Sequence, residues 1–209
     1  FVETSLESLS FKGGNYKSQN GSGLMQKTGA VTNQFELGTD IAGVDVSVGQ
    51  TSGDGNATAD FSATLAGVAL SVQNATNSDR YITASADVAG MGVNVEHQKT
   101  STGTNTGGSV STTLAGMTVT GVVIDVEDTA GVTQDDGILG DVSDAANGKT
   151  VKGVVASTDT TVGTVTGKFI DKNDLNTYVA ELERGVWTFG HSKTENADGV
   201  TTAEINVSF

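Results

Sequence analysis

The sequence predicts an all-β fold, an antiparallel up-and-down β-barrel of about 14 strands, within roughly 12 to 16. Three observations predict it. Apolar and polar residues alternate through most of the chain, as expected of strands with one apolar face. A turn that contains Ala-Gly recurs at Ala42, Ala66, Ala89 and Ala115. Segments with a helical period are almost absent, and residues 1–209 are treated as a single domain.

The repeated turn sets the length of the repeating unit. Each Ala-Gly pair lies between two apolar residues, as between Leu65 and Val68, and apolar alternation continues on both sides. Glycine adopts the positive φ that a tight hairpin turn requires, so each copy predicts a hairpin. The copies are spaced by 24, 23 and 26 residues. That spacing allows two strands of about nine residues, one short turn and one longer polar loop, so short turns and longer loops are expected at opposite ends.

The individual strands differ in how clearly the alternation marks them. Residues 1–12 have no strict period and predict a bulged strand or a short helical entry. The polar, Gly-rich residues 13–30 predict a loop. Between residues 117 and 126 the apolar residues shift from odd-numbered to even-numbered positions near Gly121. A β-bulge there would keep them on one face. The remaining predicted strands lie within 31–41, 44–50, 57–65, 68–73, 82–88, 91–96, 110–114, 150–158, 164–169, 178–183, 187–192 and 203–209, with a tight turn at Arg184-Gly185.

Composition excludes several classes of protein. The net charge of −14 provides no basic patch for phosphates, so no nucleic-acid partner is expected. The chain has no Cys and no Pro, which excludes disulfides and Cys-based metal sites and leaves every segment free to pair in a sheet. No run approaches the roughly 18 apolar residues of a membrane-spanning helix. The chain starts at Phe1 without a leader, and we expect a signal peptide to have been removed or the start to be that of a fragment.

Strands with one apolar face need something to cover that face. In a soluble sandwich a second sheet covers it, whereas in a membrane barrel lipid covers the outside and water fills the inside. The opposite face of these strands is rich in Ser, Thr and carboxylates, and the chain has almost no helical segments that could pack on a sheet. The sequence therefore predicts a transmembrane barrel.

Short motifs carry a resemblance to a known family. The hairpins at 64–68 and 87–91, with Ala-Gly-Val and Ala-Gly-Met turns, resemble those of alphaproteobacterial-type general porins. The ending, with Phe209 and apolar residues at every second position back to Ala203, resembles the closing strand of bacterial outer-membrane barrels. The resemblance covers most of residues 31–209. It implies an outer-membrane location in a Gram-negative bacterium, contact with outer-membrane lipid, short periplasmic turns, longer extracellular loops, passive diffusion of small hydrophilic solutes and a homotrimer.

If the strand positions that carry apolar residues face lipid, the alternate positions face the lumen of a channel. The charged residues at those alternate positions are mostly acidic. Fixed carboxylates raise the local cation concentration, so a cation preference is expected. The alternative is that several acids lie near the rims, where salt screens them and leaves only a mild bias. The predicted pore-lining charges are Glu36, Asp40, Asp45, Asp60, Asp87, Glu96, Lys168, Glu181, Glu183 and Glu204.

The acidic stretch 127–148 has three interpretations. It folds inward and narrows the pore, it is a mobile external loop, or it holds a divalent cation through Asp and backbone oxygens. No Asp/Asn spacing within it matches an EF-hand loop, and no resident metal or cofactor is expected. The candidate constriction residues are Asp135, Asp136, Asp141 and Asp144.

Catalysis is not expected from this sequence. His97 and His191 fall at strand positions predicted to face lipid or near a strand end. No Ser-His-Asp grouping or Gly-rich phosphate loop is apparent. The main alternative to a porin is a secreted β-rich structural protein, such as a surface-layer, filament or adhesin subunit. Repeats of about 24 residues and abundant Thr also suit that class.

Overall fold

The computed structural model describes residues 2–6, 8–20, 24–25, 27–51, 57–75, 79–128, 138–140 and 145–205. The regular structure within these ranges consists of β-strands. No helix in the described ranges is long and apolar enough to cross a membrane. The strands are β1 (Val2–Leu6), β2 (Leu9–Asn20), β3 (Lys27–Ile41), β4 (Val44–Thr51), β5 (Ala57–Leu65), β6 (Val68–Ala75), β7 (Arg80–Val88), β8 (Met91–Lys99), β9 (Thr104–Leu114), β10 (Met117–Val126), β11 (Lys149–Thr160), β12 (Gly163–Lys172), β13 (Leu175–Arg184), β14 (Trp187–Thr194) and β15 (Val200–Ile205).

The fifteen strands form one sheet in which each strand pairs antiparallel with its neighbours in sequence, in the order β1 to β15. The predicted all-β, up-and-down antiparallel fold is confirmed, and this connectivity is that of an up-and-down barrel. Backbone pairing between β1 and β15 does not occur within the described residues, so the sheet is not closed there. The structure has one strand more than the predicted 14. The prediction of a loop at 13–30 was wrong at both ends, because β1 and β2 form a hairpin that extends to Asn20 and β3 begins at Lys27.

The four Ala-Gly turns share one backbone geometry. At Ala66 and Gly67, φ is 51° and 82°, and the other three copies have the same signs and similar values. Positive φ at both central residues defines a type I′ turn, whose twist matches that of the flanking strands. Sequence reasoning identified the glycine of this turn but not the left-handed alanine, a conformation that costs a residue with a Cβ roughly 1–2 kcal/mol.

Two other turns differ from the prediction. The turn before β14 is Gly185-Val186, with Gly185 as the first central residue at φ 61°, so the predicted Arg184-Gly185 pair is displaced by one position. At the other end of the sheet, Asn173 and Asp174 join β12 to β13 in a two-residue turn, with φ of 55° and 63°. Short turns therefore occur at both ends of the sheet. Asn and Asp suit this turn because they tolerate left-handed backbone better than most residues.

The two faces of the sheet have opposite chemistry. Directly opposed residues on neighbouring strands lie on the same face, as do Phe61, Val72 and Ile82. Nearly all the large hydrophobic residues that remain exposed lie on this face, which we call the apolar face. The other face carries mainly hydroxyls, amides and charged side chains, and we call it the polar face.

The bulge predicted near Gly121 is absent, because β10 pairs with β9 and β11 in continuous register. The parity change is real, and it places Val122, Ile124 and Val126 on the polar face, where they are buried. They belong to a group that we call the apolar cluster. Its members are Leu24, Met25, Val122, Ile124, Val126, Leu139, Ala145, Val151 and Ile170.

Candidate functional site

The candidate site is the polar face, because the strand registers bring all ten predicted pore-lining charges onto it. Their burial differs widely. Glu36, Asp60, Lys168 and Glu181 are half-buried, and Glu96 is fully buried. The exposed members of the set are Asp40, Asp45, Asp87, Glu183 and Glu204.

Four of the acids surround one cavity of about 480 Å³ on the polar face of β3, β4 and β5, and serine side chains supply much of the rest of its lining. Asp40 and Asp45 are directly opposed across β3 and β4, and like charges in that arrangement repel each other. Oδ1 of Asp60 is buried and has no hydrogen-bond partner among the described residues. The cavity therefore offers fixed negative charge together with hydroxyls. Its acids are Glu36, Asp40, Asp45 and Asp60.

Two of the predicted charges also stabilise turns. Oδ1 of Asp40 accepts a hydrogen bond from the backbone N–H of Gly43 at 3.2 Å. Oδ1 of Asp87 accepts one from the N–H of Gly90 at 3.1 Å. Both are Asp side chains placed three residues before the glycine of an Ala-Gly turn, which is a common position for a side chain that satisfies turn backbone.

Basic residues on the polar face make its charge less one-sided than the sequence predicts. Lys12 lies directly opposite Glu36, and its Nζ is 4.5 Å from the centroid of the Tyr16 ring. Lys168 forms an ion pair with Glu181 at 3.3 Å. Sequence reasoning missed Lys12 because residues 1–12 show no strict alternation from which a face could be assigned.

Glu96 is placed differently from the other acids. Its side chain is completely buried, and its Oε2 accepts hydrogen bonds from the backbone N–H groups of Leu24 and Met25 at 3.3 and 3.0 Å. The charge of Glu96 therefore faces protein rather than open space. It connects β8 to the segment between β2 and β3, 71 and 72 residues away in sequence.

A second buried carboxylate, Asp128, was not among the predicted site residues. It lies two residues after the end of β10 and is 1% exposed. Its two oxygens accept hydrogen bonds from the hydroxyls of Thr100 and Thr102, and its N–H donates to Oδ1 of Asn105 at 3.3 Å. These bonds fix the turn between β8 and β9 against the end of β10. The sequence signal for this role is weak, since the partners are more than twenty residues away.

The stretch between β10 and β11 is described only in part. Asp135, Asp136, Asp141 and Asp144 lie outside the described residues. Leu139 and Ala145 are buried in the apolar cluster on the polar face. The described part of this stretch therefore lies over the polar face, which favours the inward interpretation for these residues.

The two histidines lie on the apolar face, as their parity predicts. Nδ1 of His97 is 2.8 Å from Oγ1 of Thr106, and Nδ1 of His191 is 3.0 Å from Oγ1 of Thr201. Across the described part of the chain, no three His, Asp or Glu side chains are grouped closely enough to hold a metal ion.

No protein-family model matches the chain, and neither a curated protein nor a solved structure matches it. What is established is a class of fold: an up-and-down antiparallel sheet with one exposed apolar face and one face rich in acids and hydroxyls.

Proposed function

We propose that the protein is an outer-membrane porin of a Gram-negative bacterium, a water-filled channel for passive diffusion of small hydrophilic solutes and ions. The exposed apolar face carries this proposal. Phe35, Val95 and Leu114, on β3, β8 and β9, are 46%, 48% and 56% exposed. Similar residues occur on this face from β1 to β15. Contiguous apolar surfaces of this extent mark contact with membrane or protein rather than with water. Lipid covers the whole face of a closed sheet without a second protein layer.

Aromatic pairs on the apolar face support a membrane-spanning orientation. Trp187 and Phe189 stack with their ring centroids 6.0 Å apart, beside a two-residue turn. Phe169 and Tyr178 lie with centroids 5.4 Å apart, closer to the opposite end of their strands. Aromatic side chains at both margins of the apolar surface are typical of barrels in the outer membrane, where they sit at the two interfaces.

The polar face supports an aqueous lumen with a preference for cations. Its hydroxyls and amides can form hydrogen bonds with water. Acidic residues outnumber basic residues on it even after Lys12 and Lys168 are counted. The uncompensated carboxylates concentrate around the cavity of Asp40, Asp45 and Asp60, where they would raise the local concentration of cations. The proposed assembly is a homotrimer, on the strength of the resemblance to general porins.

The decisive experiment is a planar-bilayer recording from the full chain refolded in detergent. The proposal expects stepwise conductance and, in a salt gradient, a reversal potential of cation-selective sign. Asp45→Asn should move that potential toward zero. Asp125→Asn is the matched control, since Asp125 lies on the apolar face and its replacement removes the same charge. Absence of conductance from inserted protein would refute the channel, and an anion-selective potential would refute the cation preference.

One observation favours the alternative of a secreted surface-layer, filament or adhesin subunit. Within the described residues β1 and β15 are unpaired on one side, and free strand edges can pair with another copy. The two proposals differ in their need for detergent. A porin stays soluble only in detergent or lipid and migrates differently on a gel before and after boiling. A secreted subunit would be soluble without detergent, and its assembly would depend on concentration.

A further inference from the structure

The apolar cluster occupies a position that sheet stability alone does not require. The polar face elsewhere carries hydroxyls and acids, yet Val122, Ile124 and Val126 lie on it fully shielded from water. Two segments outside the strands supply the shielding. Leu24 and Met25 come from the connection between β2 and β3, and Leu139 and Ala145 come from the connection between β10 and β11. These described residues of both connections therefore lie over the polar face.

Glu96 explains why Leu24 and Met25 occupy this position. These residues are 1% and 0% exposed, so their backbone N–H groups need partners within the protein. One oxygen of Glu96 accepts both. A buried carboxylate is itself costly unless it is hydrogen-bonded. Each group thus satisfies a requirement of the other, and the short segment is held at a defined point on β8.

We propose that Leu24 and Met25 form a wedge that narrows the channel, and that Glu96 is the positioning residue that holds the wedge against the polar face. This inference rests on the proposed porin function. The strands that carry the apolar cluster and the anchor Glu96 lie within β8 to β12, which is five of the fifteen. Solutes would pass along the remaining part of the lumen, where the cavity of Asp45 and Asp60 lies. Narrowing on one side would bring permeating cations close to these carboxylates.

The first test measures channel width in single-channel recordings of Glu96→Ala. Because the wedge belongs to an apolar cluster that, together with Glu96, lies over one third of the strands, its displacement should raise conductance about 1.5-fold or more and admit larger neutral sugars into proteoliposomes. Glu96→Gln keeps an oxygen acceptor and should stay closer to the wild type. Asp125→Ala is the charge-matched control. It removes a carboxylate from the apolar face, outside the lumen, so it should leave the sugar limit and the conductance unchanged.

The second test measures the wedge without relying on conductance. The chain has no Cys, so Met25→Cys introduces a unique thiol. In the refolded full chain this thiol should be protected from a water-soluble maleimide, and adding Glu96→Ala should speed labelling about tenfold or more, because a charge-assisted hydrogen bond to buried backbone is lost. Met25→Cys in the Asp125→Ala background is the control and should stay protected.

The outcomes separate this inference from the porin proposal. Wild-type conductance and an unchanged sugar limit in Glu96→Ala would overturn the wedge and leave the porin intact. Thiol protection that survives Glu96→Ala would overturn the role of Glu96. If Glu96→Ala does not assemble, the double variant Leu24→Ser/Met25→Ser decides, since it removes the wedge side chains and leaves Glu96 in place. Wider permeation in that variant supports the wedge, and unchanged permeation overturns it.

Discussion

The left-handed alanines of the Ala-Gly turns make a quantitative prediction about stability. Ala66 has φ 51°, a conformation that costs a residue with a Cβ about 1–2 kcal/mol, whereas Asn tolerates it because its side chain hydrogen-bonds locally. Ala66→Asn should therefore stabilise the folded chain by about 1 kcal/mol. Successive Ala-Gly turns are separated by two strand spacings, about 10 Å, so their effects should be nearly additive. Replacing all four alanines should give about 3–4 kcal/mol.

The measurement is urea-induced unfolding in lipid vesicles, followed by the fluorescence of Trp187, the single tryptophan of the chain. Two controls bracket the effect. Ala69→Asn introduces the same side chain on the exposed polar face of β6, in extended backbone, and should destabilise slightly. Gly67→Ala places a Cβ where no atom lies within 4 Å, at φ +82°. Its cost is therefore one of backbone conformation alone, about 1 kcal/mol or more.

The reasoning would be refuted if Ala66→Asn and Ala69→Asn shifted the unfolding midpoint equally. That result would mean that asparagine acts through side-chain solvation or the unfolded state, rather than through the turn. A stabilising Gly67→Ala would be equally damaging, because it would show that the turn does not need positive φ at its second residue.

Three further predictions concern the faces and the buried groups. Val95→Lys should prevent or slow membrane insertion, at a cost of about 2–4 kcal/mol, while Asn94→Lys, one residue away on the opposite face, should insert normally; the gel-mobility shift on boiling distinguishes them. Asp128→Ala removes the acceptor of two threonine hydroxyls and should lower the free energy of unfolding by about 2–4 kcal/mol, measured by urea titration. Gly103→Ala should also destabilise, since its Cβ would lie 2.5 Å from the carbonyl oxygen of Glu127, and faster proteolysis between β8 and β9 would reveal the displaced turn.

Much of the sheet could be predicted because its signals are local. Alternation assigns both the strand and the face, and the turn glycines fix where each hairpin reverses. The β1–β2 hairpin was missed for the same reason. Around Gly13, Gly14 and Asn15 neither face of the strand is apolar, so no alternation marks it. That strand is specified by its backbone pairing with β3, which the local sequence does not reveal.

The sequence predicted the face of the sheet on which the candidate site residues lie, but not how deeply they are buried. The parity of Glu96 places it on the polar face, yet its hydrogen-bond partners lie more than seventy residues away. Val122 shows the complementary error. Strict alternation places Val122 on the polar face, as the structure does. The bulge was predicted only because every apolar residue was assumed to lie on the apolar face. The assumption failed where chain from other parts of the sequence covers the polar face.

The repeated Ala-Gly turn has a consequence for how such a chain can change its size. Removing residues 43–66 would join Ala42 to Gly67 and recreate the same turn between Ile41 and Val68, two residues that lie on one face of the sheet. No side chain elsewhere would change sides, and the result would be narrower by one complete hairpin. Duplicating the same segment would widen it by as much. The number of strands in such a meander is thus adjustable in steps of two, without any new folding information.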